Sequence, residues 1–342
     1  MSAPLTLEKN NLKLGFVALL DCAPLVVARE KGFFKRHGLD VVLCKESSWA
    51  SIRDKVSFGL YDGAHMLAPM PLASTLGLNG NKTPMMTALA LSQNGTAITL
   101  SEEFHTLLSK TIDNWEDDKL VGEQFKKQVK SSSVKPVMAT VYPYSNHYYQ
   151  LRYWLEQHGI DAEHDVQLIA VPPTQMIPSL SNGAIDGYCV GEPWNSLALI
   201  QKIGGLLTTG HKIWGAHTEK VLGVTQEWAA AYPNTHQALV KALYEACQWV
   251  EDINNKEELY QLLALPPYLD QAATTLSDYT PPLAMKQHFA GKQVNVPDPK
   301  QGEFILSQML DCGQLSDADN PADFAIISRT VYRQDLFQKW VS

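Results

Sequence analysis

The chain changes its hydrophobic period twice before residue 45. Leu12-Lys13-Leu14-Gly15-Phe16-Val17-Ala18-Leu19 alternates and then runs apolar, as a strand does when both its faces become covered. Asp21 and Pro24 then open a helix, since an Asp can cap and a Pro suits the first turn. Pro24 to Lys35 carries an apolar face at Leu25, Val26, Phe33 and Phe34; Gly38 stops it, and Leu39-Asp40-Val41-Val42-Leu43 is a second strand. Two strands joined through a helix lie parallel in one sheet, so the chain opens with a β-α-β unit.

The theme recurs. Trp49 to Leu60 is expected to be helical, Gly63 to Leu67 a short strand, and a helix follows Pro71 before a buried strand over Thr87 to Leu91. Ala97-Ile98-Thr99-Leu100 leads into a lysine-rich polar stretch, Ser101 to Lys135, expected to be a solvated helical excursion at a boundary. A second β-α-β block begins at Val137-Met138-Ala139-Thr140-Val141, continues through a helix from about His147 to Gln157 and a strand over Val166 to Val171, and ends with a helix after Gln175 and the strand Gly187-Tyr188-Cys189-Val190. Leu222-Gly223-Val224 is the expected return crossing, and the C-terminal third is helix-rich from Trp228 onward. A chain of 342 residues is too long for one ordinary core. The similar order of the two blocks predicts two similar lobes: 12–100 plus 218–342, and 101–217.

Composition excludes several functions. With 45% hydrophobic and 19% charged residues the chain is globular, and its net charge of -8 with no Lys/Arg-rich run leaves no nucleic-acid footprint. No apolar stretch of membrane-spanning length occurs. The start, MSAPLTLEKNNLKLGF, lacks a basic segment followed by an apolar core of about 7–15 residues, so the chain is expected to be cytoplasmic, or shorn of an export signal. Cys22, Cys44, Cys189, Cys247 and Cys312 form no CxxC pair and are expected to be buried reduced thiols, with neither disulfide framework nor metal site. There is no phosphate loop, nucleophile triad or HExxH, so no enzyme and no cofactor is expected.

Ligands of such sheets bind beyond the carboxyl ends of the strands, where free N–H groups of helix N-termini suit anions. The loops so placed are Leu20–Pro24, Ser47–Trp49, His65–Pro71, Gln93–Thr96, Tyr142–His147, Pro172–Gln175 and Gly191–Trp194. Because the global charge is negative, an anion would have to be held by local donors.

These loops carry recognisable strings: Asp21-Cys22-Ala23-Pro24-Leu25, Lys31-Gly32-Phe33-Phe34, Gly38-Leu39-Asp40-Val41, Ser48-Trp49-Ala50, Asp62-Gly63-Ala64-His65, Asn94-Gly95, Leu151-Arg152-Tyr153-Trp154-Leu155, Val171-Pro172-Pro173, Gln175-Met176, Gly191-Glu192-Pro193-Trp194-Asn195 and Glu219-Lys220-Val221-Leu222-Gly223. Over roughly residues 12 to 260 the sequence resembles the nitrate- and bicarbonate-binding proteins of ABC transporters and their cytosolic relatives, the NasS-type nitrate and nitrite sensors. The resemblance implies a type II periplasmic-binding-protein fold, α/β in class, with two lobes closing on a ligand in the cleft. It also implies ligand-binding roles for Trp49, His147 and Lys220, joined by Gln175 and by Thr96, which stands where the family has a glutamine. His65, Asn94, Gly95, Glu192 and Trp194 are expected behind them. The implied partner is an RNA-binding ANTAR-type antiterminator, held by the empty sensor and released by the occupied one; a transporter-linked binding protein is the alternative.

The chemistry of the ions agrees with the implied set. Nitrate is planar, singly negative and accepts hydrogen bonds only, so it wants donors and a cation; Lys220 supplies charge, His147 an N–H, and Trp49 an indole N–H or a flat wall. Bicarbonate also carries an O–H and needs an acceptor, so a lysine rather than a carboxylate at 220 favours nitrate or nitrite. Lys220→Glu is accordingly expected to abolish binding and leave the fold intact. Each residue has a plainer reading: Lys220 a solvated surface group, Trp49 core packing, His147 a bystander at a helix end, and Asp21 a cap.

Overall fold

The computed structural model describes residues 6–78, 80–269, 285–316 and 320–341. The strands described are β1 (Asn11–Val17), β2 (Asp40–Glu46), β3 (Gly63–Leu67), β4 (Met85–Met86), β5 (Ala90–Gln93), β6 (Thr96–Ser101), β7 (Val137–Thr140), β8 (Gln167–Ala170), β9 (Gly187–Gly191), β10 (Gly204–Thr209) and β11 (Thr218–Thr225). They build two sheets in two compact units; among the described residues one holds those of 6–93, 218–269 and 287–341, the other Asn94–His217 with 285–286.

In the first unit the strand order is β2-β1-β3-β11-β4, with β5 also on β11. β1 runs parallel to β2 and β3, as the β-α-β reading requires, whereas β11 runs antiparallel to β3, β4 and β5. The alternating residues Leu12, Leu14 and Phe16 of β1 pack with Leu25 and Val26 of helix Ala23–Glu30 and with Leu239 and Leu243 of helix Pro233–Glu251. The helix expected over Pro24 to Lys35 is broken: it ends at Glu30, and a short turn, Phe33–Arg36, restarts after Gly32, whose φ of 74° lies in the left-handed region that glycine adopts without steric cost. Asp21 is not the cap expected of it. It lies in a single 3-10 turn, Leu20–Cys22, that has no side-chain cap, and its carboxylate turns into the protein because stronger partners wait there.

In the second unit the order is β10-β6-β9-β7-β8, with β7 parallel to β8 and β9, and β6 antiparallel to β9 and β10. The first crossing therefore falls between Gln93 and Asn94, earlier than the expected boundary at residue 100. The reason is β6, which pairs with β9 from Thr96–Gly191 to Leu100–Gly187 and so belongs wholly to this sheet. The return falls between His217 and Thr218, and Leu222 lies within β11 rather than at a crossing. The stretch over Ser101 to Lys135 is not simply solvated. Helices Glu102–Ser109 and Asp118–Ser131 each hold an i, i+4 apolar stripe, Phe104/Leu108 and Val121/Phe125/Val129, buried in one core with Trp154 and Leu155, and the second exposes Lys119, Lys127 and Lys130 on its outer side.

Among the described residues no helix is long and apolar enough to cross a membrane. None of the five cysteines forms a disulfide; Cys22, Cys189 and Cys247 are buried, and Cys44 and Cys312 half-buried.

Candidate functional site

In the first unit a charged cluster forms where β1, β3 and β11 come together. Lys220, in the middle of β11, pairs with Leu67 at the end of β3, and the ladder to β5 is irregular on both sides of it. Its ammonium lies 2.7 Å from Asp21 Oδ2 and 2.6 Å from Glu219 Oε1, and all three side chains are fully buried. His65, on β3, places Nε2 2.7 Å from the other oxygen of Asp21, Oδ1. Gln287 Nε2 donates weakly to Asp21 Oδ2 at 3.4 Å and to Ser92 Oγ at 3.2 Å. Trp49 opens helix Trp49–Ser57, whose N-cap Ser48 accepts from Ser51 N–H. Its ring lies 5.5 Å from Lys220 Nζ and 5.4 Å from the imidazole of His65. The cluster thus holds Trp49 and Lys220 together, as the resemblance implies, and Lys220 is not the solvated group of the plainer reading.

The protonation states follow from burial set against pairing. Burial alone would raise the pKa of Asp21, but the charges and hydrogen bonds of Lys220 and His65 outweigh it and hold the carboxyl below its usual range. Burial would strip the proton from Lys220, but Asp21 and Glu219 outweigh that, and its pKa is raised. For His65 burial wins over the pull of Asp21, its pKa is lowered, and the ring is neutral. A neutral His65 beside an ionised Asp21 must carry its proton on Nε2, the atom facing the carboxylate. Nδ1 is then a bare acceptor, buried and without a hydrogen-bond partner among the described residues; the indole N–H of Trp49 is likewise buried without one.

In the second unit a polar network forms. Thr96 Oγ1, on β6, donates to Gln150 Oε1 at 2.8 Å, and Gln150 Nε2 lies 2.8 Å from His217 Nε2. His217 Nδ1 lies 3.0 Å from Gly215 O, and its backbone N–H donates to Asn94 Oδ1 at 3.2 Å. That carbonyl fixes the tautomer: Nδ1–H donates to Gly215 and Nε2 accepts from Gln150. Gly210 is required here, since a Cβ on it would lie 2.0 Å from Thr96 Oγ1. His147 is fully buried in the first turn of helix Asn146–Gln157, behind the N-cap Ser145, whereas Gln175 closes a 3-10 turn and is exposed. Asn94 and Gly95 both have positive φ, and Gly95 O accepts from the N–H of Glu192. Glu192 is buried; burial pushes its carboxyl up to about 7, although Oε2 accepts from Ser196 N–H. Its Oε1 and the indole N–H of Trp194 have no partner among the described residues.

Sequence reading took Asp21 for a cap and passed over Glu219, Gln150 and His217. A signal existed for Gln150, which lies three residues after His147 on the same helix face. His217 and Glu219 flank the start of the return strand and carried none.

The mixed α/β arrangement of two sheets is the periplasmic-binding-protein fold. Along residues 6–264 the chain matches the NMT1-like family, and it belongs to that family. It is 43% identical, over 97% of its length and 50% of the relative's, to the nitrate import ATP-binding protein NrtC of Synechocystis sp.. It is 41% identical, over 97% of its length and 49% of the relative's, to the bicarbonate transport ATP-binding protein CmpC of Synechococcus elongatus. The chain therefore spans about half the length of these relatives. Its structure superposes on that of the periplasmic nitrate-binding protein NrtA from Synechocystis with a TM-score of 0.89 and 30% identity, covering 98% of this chain and 89% of that one.

Proposed function

We propose that this protein binds nitrate or nitrite and acts as a cytoplasmic sensor, reporting occupancy to an ANTAR-type transcription antiterminator that it releases on binding the ion. The observation that carries the ligand assignment is the burial of Trp49 and Lys220 in one cluster of a chain superposing along 98% of its length on a nitrate-binding protein. The 43% identity to part of an ATP-binding import protein supports the cytoplasmic placement, since ATP is used on the cytoplasmic side. Trp49, Lys220, His147, Thr96 and Gln175 are the proposed ligand contacts, and no residue is assigned a catalytic role. A partner that prefers the empty form must lose affinity as the ion binds, by the same factor that it weakens the ion.

A second reading is a nitrate or bicarbonate substrate-binding component of an ABC transporter. One structural observation favours bicarbonate: the cluster offers acceptors, Asp21, Glu219 and His65 Nδ1, that could receive its O–H. Calorimetry with nitrate, nitrite, bicarbonate and sulfate separates the ligands; one-to-one binding of a nitrogen oxyanion is expected, and binding of bicarbonate alone would refute the assignment. A pull-down from the source cell with and without nitrate tests the sensor. The antiterminator should elute with the ion from the wild type and stay on Trp49→Ala and His147→Ala. A permease captured in its place would leave the transport reading.

A further inference from the structure

We propose that His65 contacts the bound oxyanion directly through Nδ1 and takes up a proton as the ion binds, so that nitrate or nitrite enters together with one H⁺. This rests on the oxyanion-binding reading above and adds to it a residue and a coupled proton. Asp21 and Glu219 are two buried carboxylates beside the ammonium of Lys220, and the imidazole next to them is neutral. A bare anion would add a further negative charge beside these carboxylates in a place where water cannot screen it, which is strongly unfavourable.

Lys220 cannot relieve this alone, because two of its three N–H directions already point at Asp21 and Glu219. His65 is the group able to change its charge. Its Nε2–H is committed to Asp21 at 2.7 Å, and its Nδ1 is buried with no partner among the described residues. As a bare acceptor Nδ1 faces an anion lone pair to lone pair. Protonated, it becomes a donor to the anion on one side while Nε2–H still donates to Asp21 on the other. The groups acting on it are Asp21 and Glu219, which favour its charged form, and Lys220, which opposes it. In the empty protein burial decides for the neutral ring, and an anion at Nδ1 supplies the missing counter-charge. The proton comes from solvent and leaves with the ion, and no bond is otherwise made or broken. The Trp49 ring, 5.4 Å away, puts its unpartnered indole N–H in the same cluster as a second donor.

The test is calorimetry of nitrate and of nitrite binding to the whole chain at pH 7 in two cationic buffers of unequal ionisation enthalpy, imidazole and Tris, followed by a titration series from pH 5.5 to 8.5. Close to one proton taken up per ion is expected, with the affinity falling several-fold, and at most tenfold, for each pH unit above neutrality. His65→Gln keeps a donor for Asp21 but cannot titrate; it should bind more weakly at pH 6 and lose both the proton uptake and the pH slope. A purely structural His65 would instead lower affinity equally at every pH in the variant and leave the slope in place. Nitrate binding without proton uptake by the wild type overturns the proposal whether or not the variant folds. Absence of heat with both ions, by contrast, overturns the oxyanion-binding reading itself.

Discussion

Lys220→Met replaces a buried ammonium by an apolar side chain of similar length, and the structure predicts that the fold will feel it. The ammonium lies 2.7 Å from Asp21 and 2.6 Å from Glu219, with all three side chains shut off from solvent. Removing one partner of a buried pair leaves uncompensated charge and costs about 3–5 kcal/mol. For a unit of this size each kcal/mol moves the melting temperature by roughly 2–4 °C, so a fall of about 6–20 °C is expected. Lys220→Glu should be worse, since it sets a third carboxylate beside two. The expectation that it would spare the fold is therefore withdrawn. The pH dependence carries a second signature. Asp21 has a lowered pKa in the folded state, so the stability it contributes is present above its unfolded value and is lost as pH falls through the lowered folded one. Without Lys220 the folded pKa of the carboxyl moves up, so the acid-side loss that Asp21 contributes should shrink and the gap between variant and wild type should narrow as pH falls. Adding Asp21→Asn to Lys220→Met should recover part of the stability. Melting followed by circular dichroism from pH 3 to 8 is the assay; a Lys220→Met protein melting within about 2 °C of wild type would refute the reasoning, because the ammonium would then not be offsetting buried charge.

Glu192, pushed up to about 7 by burial, binds its proton more tightly folded than unfolded, so the folded state loses stability as pH rises from about 4.5 to 7. Glu192→Gln mimics the protonated acid and should gain on wild type through that window, reaching roughly 3 kcal/mol above it; a stability difference flat in pH, measured by urea unfolding, would contradict this. Gly210→Ala should lower stability by about 1–3 kcal/mol, because its Cβ would collide with Thr96 Oγ1 and press on Gln150; an unchanged denaturation midpoint would show that the network yields freely. Trp49→Phe keeps a ring against His65 and Lys220 but deletes the indole N–H, so the melting temperature should hold while nitrate affinity drops roughly tenfold by calorimetry.

The parallel strands were legible because their signal is local: β1, β2 and β3 stand out as apolar runs bounded by Gly, Asp and Pro. The helices over Glu102–Ser109 and Asp118–Ser131 were misjudged because polar and charged residues dominate their composition, whereas burial follows the i, i+4 stripe beneath. β6 read as a lead-in because the polar stretch that follows it drew the boundary to its far end, and only its ladder with β9 and β10 assigns it to a sheet. Asp21 shows the limit most sharply. Its local context, an Asp shortly before a Pro, is that of a helix start. Its partner is a lysine that returns on β11 after the whole of the second unit, and no local rule reaches that far.

The same limit bears on ligand choice. A lysine read from sequence is one positive charge, and by that count it marks a site for an anion that only accepts. In the folded chain its charge is already answered by two carboxylates, so what the cluster offers a ligand depends on where its protons lie. With His65 neutral the cluster has an acceptor to spare and suits an ion carrying its own O–H; with His65 protonated it has a donor to spare and suits one that only accepts. On this argument the preference between nitrate and bicarbonate is not fixed by Lys220 alone. It should shift towards nitrate as pH falls and His65 gains its proton, and competition between the two ions at pH 6.5 and pH 8.5 measures that shift directly. A nitrate-to-bicarbonate affinity ratio that stays constant across that range, corrected for the bicarbonate actually present, would mean that His65 does not choose between them.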